Sequence, residues 1–168
     1  YLKGAAPTGR CRVCEVEIEG KNDLFTACST LAENDLTVRT ESPRVVASRR
    51  QTIADFLNMG NHNCAVASNR EGDWTRFQMD AHQSDRTGDL CPAWGDCRLQ
   101  ELAYHYQVTG GGRERVAVPC PMETVNPLIV RDFSRCILCG RCVAACNELQ
   151  VNRAIESDDP DRVTMIIT

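Results

Sequence analysis

The chain has 168 residues and a formal net charge of −4, a length that suits one domain or two small ones. The acidic balance, with no basic stripe, argues against nucleic acid, where affinity rests on Lys and Arg clustered against phosphates. No apolar run is long enough to cross a bilayer, and 11 cysteines against nine aromatic residues (2 Trp, 3 Tyr, 4 Phe) point to small modules stapled by metal rather than by apolar cores.

In chain order, Cys11-Arg-Val-Cys14 leads into Glu15–Glu19, which alternates polar and apolar as a half-buried strand should. Gly20–Asp23 is a turn, Leu24–Cys28 the returning strand, and Leu36–Thr40 a further strand. Cys14 and Cys28 then stand at the two ends of a hairpin, with Cys11 on the loop before it. Ser42 is placed to cap a helix over Arg44–Met59, with Pro43 in its first turn. Val46, Ile53, Leu57 and Phe56 form its apolar face, and Arg49, Arg50 and Gln51 lie opposite. Beyond it come His62 and Cys64, a polar excursion over 65–90 anchored by Trp74, Phe77 and Met79, and then Cys91 and Cys97. An excursion of that length is usually functional or packed on a partner. After Cys97 a helix is expected with Leu99, Leu102, Ala103 and Tyr106 on one face.

Gly110–Gly112 is a flexible joint. Val116–Val118 and the Pro119-Cys120-Pro121 turn follow it. Cys120 has no neighbour at ligand spacing and reads as a buried structural thiol. Asn126–Val130 is a short extended lead-in to the densest cysteine window, Cys136, Cys139, Cys142 and Cys146, spaced C-x2-C-x2-C-x3-C. That is the bacterial ferredoxin run, in which three sulfurs hold one [4Fe–4S] cluster and the fourth serves a second one. Soft thiolates favour iron–sulfur clusters over hard ions, and four crowded cysteines fit a zinc tetrahedron poorly. Gly140 is expected where the backbone comes close to the cluster. Asn147–Ile155 should complete a helix and Val163–Ile167 a strand. Cysteines without a secretory leader read as metal or redox ligands, and the expected compartment is the cytoplasm.

Several of these stretches resemble one family. Gly9–Cys14, the acidic strand after it and Ala27-Cys28 are similar to the [2Fe–2S] module in the large iron–sulfur subunit of respiratory complex I, and of related soluble NAD-linked hydrogenases and formate dehydrogenases. Cys91-Pro-Ala-Trp-Gly-Asp-Cys97 and the helix after it resemble the family's last cysteine pair, and Arg131–Arg135 its approach to the ferredoxin run. The resemblance implies an α+β chain of three parts. Residues 1–42 would be a partial β-grasp [2Fe–2S] ferredoxin domain holding its cluster through Cys11, Cys14 and Cys28. Residues 43–109 would be a helical segment with a [4Fe–4S] cluster on His62, Cys64, Cys91 and Cys97. Residues 110–168 would be a partial bacterial-ferredoxin-like domain with a [4Fe–4S] cluster on Cys136, Cys139 and Cys142, and Cys146 serving a second. The family's first cysteine would fall just before Tyr1, and no cysteine follows Cys146, so the chain is expected to be cut inside both outer modules.

The middle part departs from the family. One residue separates His62 from Cys64 where the family has three, and 26 residues separate Cys64 from Cys91 where it has two. His82, inside the excursion, is therefore a rival ligand, whereas His105 reads as structural. An imidazole ligand typically raises a cluster's potential. Arg12, Arg141 and the amides around Gly140 and Gly95 sit where they would tune potentials. The family's large complex I subunit keeps the first three cysteines of the ferredoxin run but generally lacks the fourth, so Cys146 favours the soluble hydrogenase or formate dehydrogenase type.

No glycine-rich nucleotide fingerprint and no nucleophile pattern stands apart from the candidate ligands. The expected function is electron transfer along a series of clusters, with a flavin-bearing NAD(P)H subunit at one end and a hydrogenase or formate dehydrogenase site at the other. Plant-type [2Fe–2S] centres lie near about −400 mV, within reach of those couples. A complex I fragment is one alternative, and a zinc-stabilised interaction module without redox chemistry is another.

Overall fold

A computed structural model of the chain describes residues 3–59, 96–108, 122–123, 127–128, 131–132, 136–157 and 166–167. The first part is an antiparallel sheet of β1 (Glu15–Ile18), β2 (Leu24–Thr26) and β3 (Val38–Arg39), in the order β2-β1-β3. Val16 faces Phe25 across the hairpin and Ile18 faces Val38. The strands run shorter than the sequence pattern but in the expected places. Val16 and Ile18 are buried, as alternation requires, yet Glu15 is buried too.

Helix α1 spans Pro43–Asn58, one residue offset from expectation, and the Ser42 hydroxyl accepts from the Val45 amide at 3.3 Å, a cap worth about 1 kcal/mol. Its buried stripe is Val45, Arg49, Ile53 and Leu57. Two assignments change here: Val45 replaces Val46, and Arg49 lies on the buried face rather than opposite it. The reason is polar. Arg49 donates to the Glu15 carbonyl at 2.8 Å, to Glu41 Oε1 at 2.6 Å and to the Tyr106 hydroxyl at 2.7 Å. A guanidinium that finds these partners can accept desolvation. Burial disfavours its charged form, but Tyr106 and Glu41 more than offset that and raise its pKa.

Helix α2 (Arg98–His105) packs on α1. Ile53, Leu57, Leu99, Ala103 and Val108 form the shared core, with Phe56, Cys97, Leu102 and Ile137 against it. Leu99 and Ala103 lie inward as expected, joined by Gln100 and Tyr104, while Leu102 and Tyr106 are half-buried.

Two strand pairs and one helical stretch complete the described elements. β4 (Met122–Glu123) pairs with β5 (Arg131–Asp132), and β6 (Glu156–Ser157) pairs with β7 (Ile166–Ile167), both antiparallel. α3 (Arg141–Ala144) starts inside the ferredoxin run and continues as a π-helical turn over Ala145–Leu149. The helical stretch stops before Val151 and does not reach Ile155 as expected, because the Asn152 amide closes on the Cys146 carbonyl at 2.9 Å and Val151 and Arg153 take positive φ. Among the described residues, no helix is long and apolar enough to cross a membrane.

Candidate metal centres

The first site is built by the β1–β2 hairpin. The Ala27 amide bonds the Cys14 carbonyl at 3.2 Å, which holds the strand ends carrying Cys14 and Cys28 together. Burial pushes the Cys14 thiol up, and neighbouring Cys28 and Cys11 add to the effect through like charge. Thiols that repel one another as thiolates suit a cationic centre that takes up their charge. Cys11 arrives on a loop that passes close beneath the residue after Cys28. Gly9 has φ +68°, and a Cβ there would meet the Ser29 hydroxyl at 2.7 Å, so this position admits glycine alone without rearrangement.

Between the two cysteines, Arg12 takes φ +53°. Its Nε donates to Glu15 Oε1 at 2.5 Å and its guanidinium pairs with the same carboxylate. Glu15 also accepts from the Ser48 hydroxyl of α1. No pattern in the sequence marks Glu15, since a glutamate in an alternating strand reads as solvent-facing.

The ferredoxin run forms the last site. The Leu138 amide donates to Cys136 Sγ at 3.4 Å, and the Ala154 amide to Cys146 Sγ at 3.3 Å. Amide donors to ligand sulfurs stabilise the thiolate form and raise cluster potential. Gly140 caps α3 at φ +71° with no atom within 4 Å of the position a Cβ would take. Among the described protein atoms, glycine is required there by its left-handed backbone and not by crowding. Cys142 is exposed and Cys136, Cys139 and Cys146 are half-buried.

These two sites share a cleft of about 550 Å³, whose lining includes Cys11, Cys14 and Cys28 from the hairpin and Cys139 with Arg141 from the run. Leu99 and Leu102 of α2 also line it. The N-terminal loop reaches across, with the Ala6 amide donating to Glu148 Oε2 at 2.7 Å. Of the middle set, Cys97 lies at the start of α2 against the core, while His62, Cys64, Cys91 and the rival His82 lie outside the described residues, as does Cys120. None of the eight described cysteines is in a disulfide. Among the described residues, no three His, Cys, Asp or Glu are set to hold a single metal ion.

Comparison with known proteins bears on the same residues. Residues 129–146 match the 4Fe-4S binding domain family. The chain is 31% identical over 159 residues to a candidate formate dehydrogenase of Staphylococcus haemolyticus, covering 94% of this chain and 13% of that protein. It is 30% identical over 156 residues to an NADH-quinone oxidoreductase component of Rhizobium meliloti, covering 89% and 15%. A chain in the crystal structure of NAD+-reducing [NiFe]-hydrogenase in the H2-reduced state superposes with a TM-score of 0.68 at 25% identity, covering 92% of this chain and 54% of that one. The chain is related to subunits of NAD-linked oxidoreductases. It corresponds to a segment of them, spanning 13–15% of the length of those two curated relatives.

In this segment the donor set fits iron–sulfur chemistry: soft thiols outside any disulfide, grouped on loops with backbone amides turned onto sulfur. The 4Fe-4S match falls on the run that the spacing singles out, so a [4Fe–4S] cluster is the cofactor of that stretch.

Proposed function

We propose that this segment conducts electrons between a flavin-bearing NAD(P)H-oxidising subunit and a hydrogenase or formate dehydrogenase centre. In this reading Cys11, Cys14 and Cys28 are ligands of a [2Fe–2S] cluster. His62, Cys64, Cys91 and Cys97 hold a [4Fe–4S] cluster. Cys136, Cys139 and Cys142 belong to a second [4Fe–4S] cluster, and Cys146 to a further one. Residues 1–42, 43–109 and 110–168 would be the corresponding modules.

The observation that carries the proposal is the cleft faced by thiols of both outer modules, Cys11, Cys14 and Cys28 on one side and Cys139 on the other. Two cofactor sites that open on one cleft, in a chain related to NAD-linked oxidoreductases, make a relay the natural use. Bound clusters supply one-electron chemistry. The protein's own residues fix the sulfurs, limit water and set local charge. Leu99 and Leu102 give the cleft an apolar wall, and the Leu138 and Ala154 amides aim at sulfur. Arg141 adds a positive charge beside the run.

The match to the Rhizobium protein favours a second reading, a large-subunit segment of a complex I-type enzyme. Cys146 separates the two, because the large complex I subunit generally lacks that ligand. The test is metal and sulfide analysis of anaerobically purified protein, followed by a reductive titration read by electron paramagnetic resonance. The relay predicts iron with acid-labile sulfide, a [2Fe–2S] signal and several [4Fe–4S] signals reducible with NAD(P)H through the flavin subunit. Stoichiometric zinc without sulfide would overturn it and establish an interaction module.

A further inference from the structure

The geometry points to Glu15 as the positioning residue of the Cys11–Cys14 loop, acting through Arg12; this rests on the [2Fe–2S] reading of Cys11, Cys14 and Cys28. Glu15 is the first residue of β1, directly after Cys14, and its side chain is 1% exposed. Every acceptor it carries is engaged. Oε1 takes the Arg12 guanidinium, Oε2 takes the Ser48 hydroxyl from α1, and the carbonyl takes Arg49 at 2.8 Å. A carboxylate is kept out of water only where such partners replace it.

Arg12 shows what that arrangement holds. At φ +53° it occupies the left-handed region that side chains with a Cβ avoid. Such a residue persists where its surroundings over-determine it. Its own side chain is 64% exposed, so water could satisfy the guanidinium without Glu15. What the pairing fixes instead is the backbone between two adjacent ligands. If Arg12 turned back to an ordinary φ, the directions of the Cys11 and Cys14 side chains would diverge. Ser48 carries the same carboxylate to α1, whose Ile53 and Leu57 belong to the core. The loop is thereby referenced to the rigid part of the fold. Charge is balanced locally as well, since cluster potential follows nearby net charge and hydrogen bonding.

The experiment uses anaerobically purified, cluster-loaded protein and two variants, Glu15→Gln and Arg12→Gly. Gln keeps the size and can still accept from Arg12, but it leaves that guanidinium's charge unbalanced. The [2Fe–2S] midpoint potential should rise while the [4Fe–4S] potentials stay fixed. Gly is at ease at φ +53°, so Arg12→Gly should fold, the relieved backbone strain offsetting part of what the Glu15 carboxylate loses with its guanidinium partner. Loss of the [2Fe–2S] signal to a chelator should nevertheless be about 10–100-fold greater, the range typical when groups behind a metal's ligands are removed. Arg12→Lys, which keeps the charge, should fall between. Parental chelator resistance in Arg12→Gly would overturn the proposal, as would an unmoved [2Fe–2S] potential and g values in Glu15→Gln. Absence of any [2Fe–2S] signal from the unsubstituted protein is a different result: it would sink the cluster reading and this proposal with it.

Discussion

Replacing Arg49 by alanine should be the costliest single change on α1 outside the apolar core. The side chain is 9% exposed and joins the sheet, the loop before α1 and the end of α2 through Glu15, Glu41 and Tyr106. Its removal leaves the Glu15 carbonyl without that donor, at about 1–3 kcal/mol for a buried unsatisfied group. Glu41 is 59% exposed and can turn to water, so that ion pair contributes only about 0–1 kcal/mol. The guanidinium stem also loses its packing. Against these losses, Arg49 Nε is buried with no partner, and deleting it returns about 1 kcal/mol. The net is about 1–3 kcal/mol, or roughly 2–12 °C in melting temperature for a chain of this length. Urea titration of the cluster-loaded protein should show a lower midpoint at unchanged slope. Arg50→Ala is the reference: Arg50 donates to the Tyr106 carbonyl at 2.8 Å from an exposed position and should cost no more than about 0.5 kcal/mol. If Arg49→Ala is no worse than Arg50→Ala, the claim that this guanidinium fastens the sheet to the helices is wrong.

Gly9→Ala should destabilise the first module by more than the about 1–2 kcal/mol of a left-handed alanine, because the new methyl would also meet Ser29; adding Ser29→Ala should recover part of the loss in the same titration. Gly140→Ala meets open space and should cost only the backbone penalty, about 1–2 kcal/mol, with the [4Fe–4S] signals retained. His62→Cys should keep a [4Fe–4S] cluster at a shifted potential, and loss of that cluster in His82→Ala but not in His62→Ala would transfer the ligand role to His82. Cys120→Ser should leave every paramagnetic signal intact, and disappearance of one would place Cys120 among the ligands.

The parts of this fold visible in the sequence are those decided within a few residues. Cys136–Cys146 declares itself by spacing, Ser42-Pro43 announces the start of α1, and Gly20 marks the hairpin turn. Burial of charge is decided elsewhere. Glu15 and Arg49 look solvated in their own segments, and only Ser48, Glu41 and Tyr106, brought from other elements, make their burial tolerable. Reading Arg49 as solvent-facing puts Val46 in place of Val45 on the buried stripe, although Ile53 and Leu57 belong to it either way. The end of the helical stretch after Cys146 was equally hidden. No glycine or proline stops it; Asn152 and Ala154 fold back onto Cys146, a contact that no local preference encodes.

The contact of Ala6 with Glu148 ties the N-terminal loop to the helical stretch that leaves the ferredoxin run. Order along the chain and order in space therefore differ: the loop before β1 abuts the helical stretch that begins at Arg141, with the α1–α2 core alongside. Transplanting the hairpin without the helical stretch, or the reverse, would break this contact and open the shared cleft to water.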